Sequence, residues 1–227
     1  MANTEPVARP RVTLAYAQSL DGSIAAQPGH PLALSGAESL RLTHTLRARH
    51  DAILVGIGTV LADDPQLTVR LVEGRNPRPV IVDSQLRCPP GTRLFRSGDK
   101  QPIIATTTLA PESRAEALQQ AGARILRLPH TDNAQVSLPD LLTALRAEGI
   151  ATLMVEGGAR IITSFIRSQM VDEVVLTIAP LFVGGVRAVN ELLSSHAAEL
   201  PRLRNMTWQQ LGPDLIVQGT PDWPPAP

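Results

Sequence analysis

The sequence predicts an α/β fold organised around one mostly parallel sheet, and three features carry that reading. Short runs rich in Val, Ile and Leu alternate with helix-length segments that close at glycine, as in 111–122 and 138–149. Several runs, such as AILV at 52–55 and PVIV at 79–82, lack polar alternation, the pattern of strands covered on both faces. The chain has 227 residues, 43% of them apolar, and no Gly/Ser/Pro-rich linker divides it, so one core suffices.

In chain order, VTLAY at 12–16 reads as the first strand, and the polar, glycine-containing stretch to Pro31 as a loop. Ser35 and Glu38 have capping-box spacing, and Leu40, Leu42 and Leu46 recur at helical intervals, so a helix capped by Ser35 runs through Ala48. AILV at 52–55 follows as a strand. Gly56 and Gly58 open a turn, and Asp63-Asp64-Pro65 closes a short helical segment. PVIV at 79–82 and PIIAT at 102–106 are further strands. The second half alternates helix 111–120, strand 124–128, helix 138–147, strand 152–156, helix 159–168 and strand 173–178. DLIVQ at 214–218 follows WQQLG after a short turn and is predicted to pair antiparallel. The reading gives one domain at 11–218, with flexible termini at 1–10 and 219–227.

Lys+Arg and Asp+Glu each total 21, so there is no overall positive field for nucleic acid or an anionic membrane. No window approaches the roughly 20 apolar residues of a membrane span, and MANTEPVARPR lacks an apolar run, which makes the cytoplasm the expected location. Cys88 is the single cysteine, which excludes an internal disulfide framework and multi-thiolate zinc. The five histidines, at 30, 44, 50, 130 and 196, show no HExxH spacing, so no metal site is expected.

Two segments carry candidate chemistry. LMVEGGAR at 153–160 sets Gly157 and Gly158 between a buried strand and a helix, where backbone N–H groups can approach a phosphate. Glu156 precedes them at the strand's C-terminal end, where open α/β sheets place ligands. VGIGTVLADDPQLTVR at 55–70 joins a glycine turn, a Thr hydroxyl, paired aspartates and an arginine. Its Gly56-x-Gly58 fails the GxGxxG pattern, because Leu61 holds the third glycine's place, so a standard dinucleotide-binding Rossmann domain is disfavoured.

Together with SLDG at 19–22, NPRPVIVDSQLRCP at 76–89 and VDEVVLTIAP at 171–180, these segments resemble the reductase domain of riboflavin biosynthesis over about residues 11 to 218. The resemblance implies a dihydrofolate-reductase-like fold, NADPH as hydride donor and a homodimer, to which the VDEVVLTIAP strand and the following LFVGG would contribute. It implies reduction of the ribosyl group of a 5′-phosphoribosylamino-pyrimidine, deaminated or still diamino, to ribityl. Cofactor contacts are implied at Ala17, Thr59, Asp63, Ser84 and Arg87, and along Gly157, Gly158, Ala159, Arg160, Ile161, Ile162, Thr163 and Ser164. Substrate contacts are implied at Arg47, Leu67, Arg70 and Glu156, with Arg47 and Arg70 gripping the phosphate. Glu156 and Asp63 would be the catalytic acids, orienting the opened sugar.

The sequence departs from the family between the SLDG loop and the first helix. HPLALSG places Pro31 and Ala33 where a serine and a tryptophan are common, and Ser35 is read as the helix cap. The same residues leave open a reductase of similar fold acting on another heterocycle or aminosugar, and a catalytically silent nucleotide-binding module.

Overall fold

The computed structural model describes residues 9–96, 99–190, 192 and 200–224. A nine-stranded sheet runs in the order β11-β12-β9-β1-β8-β4-β5-β6-β7. It comprises β1 (Arg11–Ser19), β4 (Ala52–Gly56), β5 (Arg78–Val82), β6 (Ile103–Thr107), β7 (Arg124–Leu128), β8 (Thr152–Gly157), β9 (Glu173–Ala179), β11 (Arg202–Leu211) and β12 (Asp214–Asp222). From β9 across to β7 every neighbouring pair is parallel, while β12 runs antiparallel to both β9 and β11.

Strand alternation assigns the two faces. Val12, Leu14, Leu54, Val80 and Leu153 pack with α4 (Leu138–Ala147) and α5 (Ala159–Arg167). On the opposite face, Ile53, Val55, Ile81 and Ile104 pack with α2 (Ile57–Asp63) and α3 (Glu112–Gln120). Ala15, Met154 and Val175 meet Leu42 and Leu46 of α1 (Ala37–Arg49) on that same side, because Thr13, Met154 and Ile53 share one register.

Four readings need correction. The stretch before Pro31 is not all loop: β2 (Ser23–Gln27) pairs antiparallel with β3 (His30–Pro31) and with β10 (Val186–Arg187). The domain does not end at Gln218, since β12 continues to Asp222 with Arg202 and Leu203 of β11 opposite Asp222 and Pro221. At the other end, Pro10 is buried and Arg9 donates to both carboxylate oxygens of Asp172 at 2.7 and 2.8 Å; residues 1–8 and 225–227 lie outside the described residues.

Ser35 does not cap α1. The N-cap is Gly36, and the buried carboxylate of Asp214 in β12 accepts its N–H at 2.7 Å and also the Ser39 hydroxyl. A carboxylate from a distant strand thus fixes the entry to the helix at Gly36 and Ser39, and no side chain caps its first turn. Lastly, β9 lies inside the sheet between β1 and β12, so its backbone is not available for a sheet shared between subunits. The edge strands are β11 and β7, and on β11 Trp208 and Met206 are 71% and 58% exposed. No helix of the described residues is long and apolar enough to cross a membrane.

Candidate active site

Glu156 lies one residue before the end of β8 and, by alternation from Met154, faces α1. Arg47, near the end of α1, meets it fork to carboxylate: Nε donates to Oε2 at 2.7 Å and Nη2 to Oε1 at 2.5 Å. The pair is largely withdrawn from water, with side-chain exposures of 10% for Arg47 and 22% for Glu156. The remaining arginine nitrogen, Nη1, donates to the Thr68 carbonyl at 3.1 Å. All three Arg47 side-chain nitrogens are thus engaged, by Glu156 and by the Thr68 carbonyl.

Arg47 and Glu156 form one side of a cleft of about 180 Å³ that also takes in Ala17, Ser35, Thr43 and Thr177. Ser35, relieved of the capping role, faces this space.

Asp63 ends α2 across the site from the Arg47–Glu156 pair. Partial desolvation, and then the negative charge of Glu156, raise its pKa above the ordinary carboxylate value. Arg70 has its backbone N–H on His44 Nδ1 at 2.9 Å and its Nη1 on Thr68 Oγ1 at 2.9 Å. Desolvation, then the charges of Arg47 and Arg93, lower its pKa. Thus Asp63, Glu156, Arg47 and Arg70 share one electrostatic neighbourhood. His44 and Thr68 belong to it too, though no local pattern marks them; the signal available for His44 was its place one turn before Arg47 on α1.

Leu67 is placed otherwise than expected. It is 2% exposed and packed in the core with Ile57 and Val60. Its φ of +54° is a strained conformation for a branched residue, held by that burial.

At the N-terminus of α5, Gly158 (φ +92°) precedes the helix without any side-chain cap, so the first-turn N–H groups are open to a ligand. A Cβ on Gly158 would lie 3.2 Å from Thr59 Oγ1, which shows how closely α2 and α5 converge there. Gly157, Ala159, Arg160 and Ser164 share this end of the fold. Ile161, Ile162 and Thr163 point inward: Ile162 is wholly buried, and the Thr163 hydroxyl donates to the Ala159 carbonyl and accepts the Asn190 N–H. Helical periodicity therefore turns one face of the contiguous expected stretch into the core and leaves the side chains of Arg160 and Ser164 outward.

Ser84 follows β5, its hydroxyl accepting the Val136 N–H at 3.2 Å. Arg87 opens onto a separate cleft of about 390 Å³ with Arg114 and Pro89, which shares no lining residue with the Glu156 cleft. Among the described residues, no group of three His, Cys, Asp or Glu side chains is placed to hold a metal ion.

The geometry and the order of these segments are those of one known family, whose model, the RibD C-terminal domain, matches residues 10–217. The chain belongs to the RibD C-terminal domain family. It is 40% identical over 220 residues to the 2,5-diamino-6-ribosylamino-4(3H)-pyrimidinone 5′-phosphate reductase of Methanothermobacter thermautotrophicus, covering 93% of this chain and 98% of that one. The riboflavin biosynthesis reductase Rib7 of Saccharomyces cerevisiae superposes with a TM-score of 0.76 at 31% identity, over 97% of this chain and 93% of that one. Dihydrofolate reductase from Enterococcus faecalis shares the fold at a TM-score of 0.51 and 11% identity, over 93% and 96% of the two chains. The fold is thus the dihydrofolate-reductase-like α/β fold, and the RibD-type chain is an oxidoreductase of riboflavin biosynthesis.

Proposed function

We propose that this RibD-type chain reduces the ribosyl group of 2,5-diamino-6-ribosylamino-4(3H)-pyrimidinone 5′-phosphate to ribityl with NADPH. The observation that carries the reading is the Glu156 carboxylate, held by Arg47 beside Asp63 and next to the Gly157–Gly158 turn. The diamino substrate is favoured over its deaminated form because the Methanothermobacter relative that matches along almost its whole length bears that name.

The residues present fit a dinucleotide. Gly158, with φ +92° and its Cβ position against Thr59, leaves a cradle that a side chain would fill, at an uncapped helix N-terminus suited to phosphate. Gly157, Gly158, Ala159 and Thr59 would hold the pyrophosphate. Ala17 would leave room beside the ring, and Ser84 with Arg87 would favour the 2′-phosphate of NADPH over NADH. When bound, the cofactor supplies the hydride that reduces the sugar's C1′.

The chain's own groups do the rest. Glu156 orients the opened sugar and stabilises its protonated imine nitrogen, and the Arg47 fork fixes the carboxylate in direction. Asp63, which holds a proton more readily than an ordinary aspartate, assists ring opening by proton transfer. Arg70 takes the substrate phosphate. Ser35 supplies the hydroxyl that family members carry nearer Pro31. The apolar wall of Ala15, Leu42 and Val175 excludes water from the cleft.

A homodimer and a cytoplasmic location belong to the same reading. The exposed Trp208 and Met206 on the β11 edge support a second copy docking there, and the single buried Cys88 suits a reducing compartment. The test is loss of NADPH absorbance with the diamino phosphate, its deaminated and dephosphorylated forms, and dihydrofolate as rivals. Turnover confined to dihydrofolate would reject the reading, and equal kcat/KM with NADH would reject the roles of Ser84 and Arg87.

A further inference from the structure

His44 is a buried titratable group beside the site that the reduction chemistry leaves unused. It is 1% exposed, and it sits three residues before Arg47 on the same face of α1. Its Nδ1 lies 2.9 Å from the backbone nitrogen of Arg70. A backbone N–H can only donate, so Nδ1 accepts and is unprotonated, and the ring's proton is on Nε2.

The 64–70 loop needs such an anchor. Its backbone enters the left-handed region at Asp64 (φ 40°) and again at the branched Leu67 (φ 54°). The second half is then tied from outside at three successive residues. Arg47 Nη1 holds the Thr68 carbonyl, Asn76 Oδ1 accepts the Val69 N–H at 2.8 Å, and His44 accepts the Arg70 N–H. Two of the three ties come from α1, the helix that also carries the partner of Glu156. The loop and the carboxylate are thereby referenced to one rigid element.

We propose that His44 is a positioning residue, whose Nδ1 fixes the backbone of Arg70 and so sets where its guanidinium meets the substrate phosphate. The functional half of this inference rests on the reading of Arg70 given above. Burial, then the charges of Arg47 and Arg70, outweigh the attraction of Glu156 and hold the imidazole neutral down to a pKa of about 4. The anchor therefore persists across the physiological range. A third cation, which would lose the bond and repel both arginines, does not form in that range.

Two measurements test it. In protein labelled with ¹⁵N, His44 at neutral pH is expected to show an unprotonated Nδ1 and a scalar coupling through the N–H···N bond to the Arg70 amide. A protonated Nδ1, or an ordered Arg70 amide without the coupling, would overturn the anchor. In steady-state kinetics, His44→Leu is expected to raise KM for the phosphorylated substrate roughly tenfold, the scale of one lost hydrogen bond, with kcat within about twofold. His44→Asn, whose Oδ1 stands near Nδ1, should restore most of the loss, while His44→Gln, which mimics Nε2, should not.

In an Arg70→Ala background His44→Leu is expected to add nothing, whereas additive losses would mean that His44 serves only the core. If Arg70→Ala itself left KM unchanged, the phosphate reading would fail. The coupling, read without substrate, distinguishes that result from failure of the anchor.

Discussion

Replacing Arg47 with methionine keeps the aliphatic length of the side chain and removes the charge from a pair that is mostly withdrawn from solvent. Breaking a buried ion pair from one side typically costs about 3–5 kcal/mol, because the remaining charge is left without its partner. Glu156 keeps 22% of its side-chain exposure, so water screens part of that loss and about 2–4 kcal/mol is the appropriate range. The Thr68 carbonyl loses its donor in the same change. For a domain of this size each kcal/mol moves Tm by about 2–4 °C, so Arg47→Met should melt about 5–15 °C below the parent. Circular dichroism melts at neutral pH measure this directly. The double variant Arg47→Met/Glu156→Gln removes the orphaned charge and should recover at least about half of the loss. A single variant within about 1 °C of the parent, or a double variant no more stable than the single, would refute the reasoning.

Four further outcomes follow from the same geometry. Glu156→Gln should lower kcat/KM roughly 10²-fold while NADPH affinity in a fluorescence titration is unchanged; near-parental turnover would reject its role at the reacting nitrogen. His44 has a pKa of about 4 in the folded chain against 6.5 as its ordinary value. Between those values the unfolded chain binds the proton and the folded one does not, so stability falls as pH drops from about 6.5 to about 4, by up to about 3 kcal/mol. Urea unfolding should show His44→Asn without that component of the slope, and identical slopes would count against it. Gly56→Ala would place a Cβ 2.8 Å from Ile161 Cγ1 where α2 and α5 converge. A loss of about 1–3 kcal/mol in urea titration is expected, and a neutral substitution would show that the two helix starts have room. In light scattering at micromolar concentration the proposed dimer is expected for the parent and a monomer for Trp208→Glu on the β11 edge; a monomeric parent would contradict the dimer, and an unchanged dimer would place the contact elsewhere.

What was legible in the sequence, and what was not, divides by range. The run from 111 to 179 reads almost residue for residue, since Gly122 and Gly149 close helices and β8 is an apolar run buried inside the sheet. Polar strands escaped: SIAAQ and the full length of RLRNMTWQQL show no apolar alternation, because β2 and β11 bury little on either face. The capping-box reading of Ser35 failed for a different reason. Local spacing cannot reveal that Asp214, 178 residues away from Gly36, competes for the same helix end.

The motifs were legible as a set, and the structure brings Asp63 and Arg70 within the electrostatic reach of Glu156, next to the Gly157–Gly158 turn. How each residue is used was not. Arg47 is bound to Glu156, Leu67 is turned into the core, and Ile162 lies beneath the helix it helps form. Those differences arise from pairings across the fold, between α1 and β8 or between α1 and the 64–70 loop, which have no sequence signature.

The roles proposed for these residues all serve hydride delivery from NADPH to the ribosyl C1′ of a phosphorylated diaminopyrimidine. The most direct measurement is a side-by-side turnover assay, following NADPH oxidation with 2,5-diamino-6-ribosylamino-4(3H)-pyrimidinone 5′-phosphate and identifying the product by mass. The account predicts stoichiometric NADPH loss with a product two mass units heavier, ribityl in place of ribosyl, and lower kcat/KM for the deaminated and dephosphorylated forms. NADPH loss without a ribityl product, or no turnover with either phosphorylated pyrimidine by folded protein, would contradict it.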